Sequence, residues 1–385
     1  MSARCATTVK EDRLDFPGLI DCDFHPAVES GAALAPYLTA AQKDRLAWLG
    51  VGDDVPVLNY RPPGRSHHFT NPIRQDCVPP GGGEPGSDID HIRRQHLDPN
   101  GVAAVILIPI QPAVVDAWTY ADEAAWFVSA FNDHFCDHWL SVEPRFNLDM
   151  LVSPLDPELA AKEIRRVGPR DGVVGVWLPM TDRLFGHRSH YPVYEAAVEH
   201  DLALMIHPMS ADDVIGTATR AGGVPTHYAE RYALQSEFVM SHLASLIFEG
   251  VFERYPQLKF VFVEFGWPWL ASFLWRMDAT YKAARRHHPW MRKSPTEYVL
   301  EHVRFTTEPA LEVPVDWMNK ALEMVHGSQT LLYSSDYPHW DSEEPDVPFR
   351  TVDEAMRQRI FRDNALEFLG GRLRVVDPAV VALPS

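Results

Sequence analysis

A (β/α)8 barrel carrying a long loop-rich insertion after its first strand is the fold this sequence predicts, on three observations. Short apolar runs of strand length recur eight times, helical patterns separate them, and Asp, His or Glu repeatedly stand where a run ends. Runs that are apolar almost throughout are those of strands buried on both faces, as in a parallel sheet. Strands alternating with helices call for such a sheet, and eight is the number that closes a barrel.

Taken in order, the expected strands are 19–25 (LIDCDFH), 102–109 (VAAVILIP), 146–153 (FNLDMLVS) and 173–179 (VVGVWLP). They continue with 202–208 (LALMIHP), 258–266 (LKFVFVEFG), 303–308 (VRFTTE) and 331–339 (LLYSSDYPH). Apolar residues at helical spacing predict helices over 121–140, 157–167, 191–200 and 240–255. One segment breaks the alternation. Residues 29–100 are rich in Pro, Gly, Arg and His, including RPPGRS at 61–66 and VPPGGGEPGS at 78–87. A loop of that length inside a compact domain is usually functional or disordered; after strand 1 of a barrel it is expected to cover the mouth as a cap, the alternative being a flexible surface excursion. The expected organisation is one domain, with the barrel over about 17–370 and a C-terminal tail over 371–385.

The 385 residues carry 35 basic and 53 acidic side chains, a net charge of -18. So acidic a chain repels nucleic acid and anionic membrane surfaces, and neither is an expected partner. No run approaches the roughly 18 apolar residues of a membrane span, and residues 1–15 lack the apolar stretch of a signal peptide. Cys5, Cys22, Cys77 and Cys136 show no paired spacing, which fits reduced thiols and a cytoplasmic location. The expected partner is a small molecule, with a homodimer the default assembly.

The strand ends carry the chemistry. Strand 1 ends in Asp21-Cys22-Asp23-Phe24-His25, strand 5 in His207, strand 6 in Glu264 and strand 8 in Asp336. Side chains alternate along a strand, so Asp23 and His25 share the barrel interior and Phe24 faces away. His207 and Asp336 reach the same C-terminal mouth, where barrel active sites are built. Two imidazoles with two carboxylates suit one divalent ion, zinc or manganese before calcium.

The chain also resembles a known family. LIDCDFHP, LMIHP, FERYPQLKFVFVEFGWPWL, FTTEPALEVP, YSSDYPHWD and DNALEFLG occur in the order they take in the amidohydrolase-related family, from about residue 19 to 370. That family includes aminocarboxymuconate semialdehyde decarboxylases and nonoxidative aromatic-acid decarboxylases. The resemblance implies a distorted barrel with one catalytic metal, bound by Asp23, His25, His207 and Asp336. Two departures stand out: Asp23 occupies a position usually His or Glu, and Glu264 replaces the strand-6 histidine. Strand 4 ends in Val176-Trp177-Leu178-Pro179, without the bridging Lys or Glu of binuclear members, so a single metal is expected.

Because Glu264 cannot act as a neutral imidazole, metal-assisted hydrolysis of a small cyclic or aromatic amide, ester or lactone is expected ahead of nonoxidative decarboxylation. Asp336 is the candidate general base, with Glu264 and His339 assisting. For substrate, the candidates are Trp177, Arg188, Arg304 and the cap residues Arg61, Arg65, His67 and His68. The segment 269–276 (WLASFLWR) reads as an apolar helix face, free to pack on the barrel or on another subunit.

Overall fold

The structure is a computed structural model that describes residues 16–48, 73–208, 227–310, 312–342, 344–345 and 347–377. Eight strands make one sheet in sequence order, each paired in parallel with the next. They are β1 (Leu19–Phe24), β2 (Val102–Leu107), β3 (Phe146–Leu151) and β4 (Val173–Trp177). β5 (Ala203–Ile206), β6 (Phe260–Phe262), β7 (Val303–Thr306) and β8 (Leu331–Leu332) complete the set. Every residue in them is buried, as their near-unbroken apolar composition requires.

The barrel closes without a regular ladder between β8 and β1. Three backbone hydrogen bonds span the seam: Cys22 N–H to Tyr333 O (2.9 Å), Asp336 N–H to Asp23 O (3.1 Å) and His25 N–H to Tyr337 O (2.8 Å). The eighth run, expected as strand over 331–339, therefore keeps strand geometry only at its start. Asp336 stands at φ 57, outside strand conformation, and Pro338 has no N–H to give a ladder.

Among the helices, α1 (Ala40–Trp48) lies in the insertion, and α2 (Ala121–His134), α3 (Pro157–Val167) and α4 (Tyr191–Glu199) follow β2, β3 and β4. α5 (Gln235–Phe248) follows β5, α6 (Trp269–Ala284) and α7 (Pro295–His302) follow β6, and α8 (Met318–Met324) follows β7. α9 (Asn364–Leu369) closes the series. Local chemistry sets their ends. Asp156 caps α3 by accepting from Glu158 and Leu159 N–H, and Ser294 with Glu297 forms a capping box on α7. The helix expected over 240–255 stops at Phe248, because Gly250 takes φ 75 and turns the chain. α6 buries Leu270, Ala271, Leu274 and Met277 against its own barrel, leaving Trp275 exposed.

The described part of the insertion sits on the barrel mouth. Ile73 pairs with His339, Arg74 N–H donates to Pro338 O, and Ala27 N–H donates to Gly86 O. The C-terminal tail is docked as far as it is described: Val376 N–H reaches Ala103 O on β2, and Arg374 N–H reaches Asn147 Oδ1 on β3. No helix among the described residues is long and apolar enough to cross a membrane. Cys22, Cys77 and Cys136 are free, buried thiols.

Candidate active site

Five side chains from four strand ends converge at the mouth. Donor atoms of Asp23, His25, His207, Glu264 and Asp336 all lie within 4.8 Å of one another, and all five residues are buried. Asp23 belongs to β1 and His25 follows its last residue, with Asp23 Oδ1 3.2 Å from His25 Nε2. His207 follows β5, and its Nε2 lies 2.8 Å from Glu264 Oε2 and 3.9 Å from Asp23 Oδ1. Asp336 Oδ1 lies 2.8 Å from His25 Nε2 and 2.6 Å from His339 Nδ1. Glu264 and Asp336 both take the left-handed backbone, at φ 61 and φ 57. Such conformations are disfavoured for residues with a Cβ and persist where surroundings impose them, often at functional sites.

The donor set fits a divalent cation on the structure's own terms. His25 Nδ1 stands 2.9 Å from Ile108 O, so that nitrogen carries the proton and donates it. Nε2 is then a lone pair facing two carboxylate oxygens. Burial first, and His339 and His207 next, push the His25 pKa well below its ordinary value, so its ring is neutral. An acceptor aimed at acceptors in a dry pocket is unfavourable unless a cation lies between them. Both oxygens of Asp23, both ring nitrogens of His207 and Asp336 Oδ2 likewise make no hydrogen bond. A ligand histidine whose other nitrogen donates to a backbone carbonyl is the usual arrangement at metal sites.

Without a cation the carboxylates repel. Burial, then the charges of Asp336 and Glu264, hold Asp23 well above the usual carboxylate range. Burial, then Glu264, raises Asp336 in the same way. Burial lowers the His339 pKa.

The other sequence-predicted residues divide. His339 belongs to the site: its ring is 4.5 Å from that of His25, and its side chain is 12% exposed. Trp177 is buried, its ring 5.4 Å from His207, and its indole N–H is unpartnered. Arg304 is a correction. It points away from the mouth, donating to Leu300 O and Val303 O and stacking on Phe368 in the helix layer. As the second residue of β7 its side chain faces outward, where its Nη1 meets the carbonyls of Leu300 and Val303. Arg188 is exposed, at the start of the short 3-10 turn Arg188–His190 that leads into α4. Arg61, Arg65, His67 and His68 lie outside the described residues.

Three residues join the picture that the strand-end reading left out. Glu308 and Asp341 approach Asp336 closely enough for their oxygens to lie within 4.8 Å of one another, and Tyr232 donates to Asp341 at 2.8 Å. Glu308 stands just past β7, a strand-end position like those of the other acids, and could have been found by the same rule. Asp341 and Tyr232 come from loop and helix, where sequence gives no such signal.

A parallel barrel with this donor cluster at its C-terminal mouth defines a metal-dependent enzyme of the amidohydrolase type, and the amidohydrolase family model matches residues 20–371. The chain belongs to that family. Gamma-resorcylate decarboxylase of Polaromonas sp. (strain JS666 / ATCC BAA-500) is 24% identical over 299 residues, 72% of this chain and 86% of its own. The crystal structure of 5-carboxyvanillate decarboxylase from Sphingomonas paucimobilis has a TM-score of 0.65 at 23% identity, covering 94% of this chain and 100% of that one. The Novosphingobium aromaticivorans DSM 12444 enzyme of the same activity, complexed with manganese and 4-hydroxy-3-methoxy-5-nitrobenzoic acid, has a TM-score of 0.63 at 22% identity, with 92% and 96% coverage.

Proposed function

We propose that this protein is a nonoxidative carboxy-lyase that removes carbon dioxide from an aromatic acid bearing an oxygen substituent beside the carboxylate. The observation that carries the reading is Asp336: buried, held in a strained backbone, and set between His25 and His339 at the donor cluster. Curated and structural relatives named as decarboxylases support it, and they reverse the expectation that hydrolysis leads. A divalent ion held by Asp23, His25, His207, Glu264 and Asp336 would bind substrate oxygens and draw electron density from the ring. Three carboxylates among five donors favour a hard ion such as manganese.

The chain supplies the proton. Asp336 is placed to carry it, with Oδ1 2.6 Å from His339 Nδ1. It delivers that proton to the ring carbon as the bond to the carboxylate breaks and carbon dioxide leaves. His339, in contact with Asp336 and partly open to solvent, returns a proton from water for the next turnover. Buried Trp177 beside His207 offers an apolar wall for a ring.

Glu264 favours a second reading, hydrolysis. Its carboxylate at His207 could take a proton from water in place of the family histidine.

The test is turnover of manganese-loaded protein in deuterium oxide on hydroxybenzoic acids, beside amides and lactones. Release of carbon dioxide with one deuterium at the vacated ring carbon is expected, and Asp336→Asn should lower the rate on the order of 10²–10⁴-fold. Hydrolysis of amides or lactones with no decarboxylation would establish the second reading instead.

A further inference from the structure

We infer that Asp21, two residues before the first donor, is the positioning residue that holds Asp336 in its left-handed backbone and locks the strands bearing the first and last donors together. The inference rests on the metal reading of the cluster and is independent of which reaction the site performs.

Asp21 is fully buried in β1, and each of its oxygens accepts twice. Oδ1 accepts from Ser335 N–H at 2.9 Å and from Asp23 N–H at 3.3 Å. Oδ2 accepts from Ser335 Oγ–H at 2.6 Å and from His96 Nε2 at 2.8 Å. A carboxylate without water around it is stable only when donors surround it in this way. One side chain therefore touches the backbone of the strand-1 donor and both polar groups of the residue before the strand-8 donor.

What Ser335 does next gives the contact its consequence. Its Oγ donates to Asp21 and accepts from Tyr337 N–H at 3.2 Å, so it bridges the chain on both sides of Asp336. Tyr337 is fixed in turn: its ring stacks on Phe24 at 4.9 Å and its hydroxyl donates to Gln95 at 2.7 Å. A non-glycine residue at φ 57 relaxes unless its neighbours are pinned, and here both are. The pinning falls where the barrel has no β8–β1 ladder to do it.

His96 completes the arrangement. Its ring lies 5.6 Å from Phe24 and 4.9 Å from Tyr337, and its other nitrogen is 3.5 Å from the Asn100 amide. With the proton on Nε2 it donates to Asp21, and the end of the insertion thereby joins the seam. None of Asp21, His96 and Ser335 contributes to the cluster of donor atoms.

The experiment compares wild type with Asp21→Asn, Ser335→Ala and the double variant. Three quantities are measured: the manganese dissociation constant, the visible spectrum of the cobalt-loaded protein, and urea unfolding of metal-free protein. We expect each single variant to weaken manganese binding roughly 10–100-fold, the range for residues that orient ligands. The cobalt spectrum should change, and the double variant should be no weaker than Asp21→Asn, because the two residues act as one unit. A manganese constant and cobalt spectrum within twofold of wild type in both variants would overturn the inference, even with lowered stability, and leave Asp21 a mere strut. Should Asp21→Asn fail to fold, Ser335→Ala decides alone, since it deletes a single oxygen. Wild-type protein that binds no metal would overturn the metal reading itself, an outcome visible before any variant is compared.

Discussion

His25 gives one nitrogen to a backbone carbonyl and turns the other toward two carboxylates, and in that one residue the logic of the site is visible. Neutral imidazoles recur elsewhere in the molecule for a different reason. Burial lowers His134 and His190 to about 4 and His242 to about 3, and His242 spends its lone pair on Phe185 N–H. In the unfolded chain each binds its proton near 6.5, so below that pH the unfolded state holds more protons and stability falls with acidification. The loss should be on the order of 1–2 kcal/mol per histidine at pH 5. Asp23 and Asp336 act with the opposite sign in metal-free protein. Their folded pKa values are raised, so their contribution is present at low pH and lost as pH rises above about 4. A bound cation removes that opposing contribution. Urea midpoints should therefore drop between pH 7 and pH 5 more steeply for metal-loaded than for metal-free protein. Identical slopes, or a loaded protein that gains stability on acidification, would contradict this assignment.

At the scale of elements, Asp23 stands within β1 while the other four donors stand just past their strands, where the loops decide how they are aimed. The described insertion reaches the end of strand 1 through Gly86, at φ 80, where an added Cβ would lie 2.7 Å from His25 O. Only glycine permits that approach. Gly86→Ala should cost about 1–3 kcal/mol, read as a lower urea midpoint, because both the backbone angle and the His25 carbonyl oppose it. An unchanged midpoint would mean the insertion does not bear on strand 1. Much of this level could be read from residue order alone. All eight strands lie within the runs that predicted them, since a strand buried on both faces leaves an unmistakable apolar signature. The strand-8 geometry was not legible, because the seam depends on backbone angles at Asp336 and on Ser335 reaching across the barrel. Nor was the outward direction of Arg304, which follows from its place in β7 and from helix-end carbonyls that no local pattern announces.

Across the whole molecule, an acidic chain concentrates five carboxylates at one mouth: Asp23, Glu264, Glu308, Asp336 and Asp341. Their convergence needs closure of the barrel, docking of the insertion and the β8–β1 seam together, so strand-end position can point to Asp23, Glu264, Glu308 and Asp336 but not to Asp341. Glu264 was legible as a departure from the family histidine, and the structure sets it beside His207 within 4.8 Å of the other four donor atoms. Repulsion from neighbouring acids adds to burial in raising Asp23 and Asp336, and a divalent cation would relieve it. Titration of chelator-stripped protein with manganese, followed by calorimetry, tests that claim most directly. The account predicts one ion per chain, with binding lost in His25→Ala and in His207→Ala. Wild-type protein that takes up no ion, or variants that bind as wild type does, would contradict it.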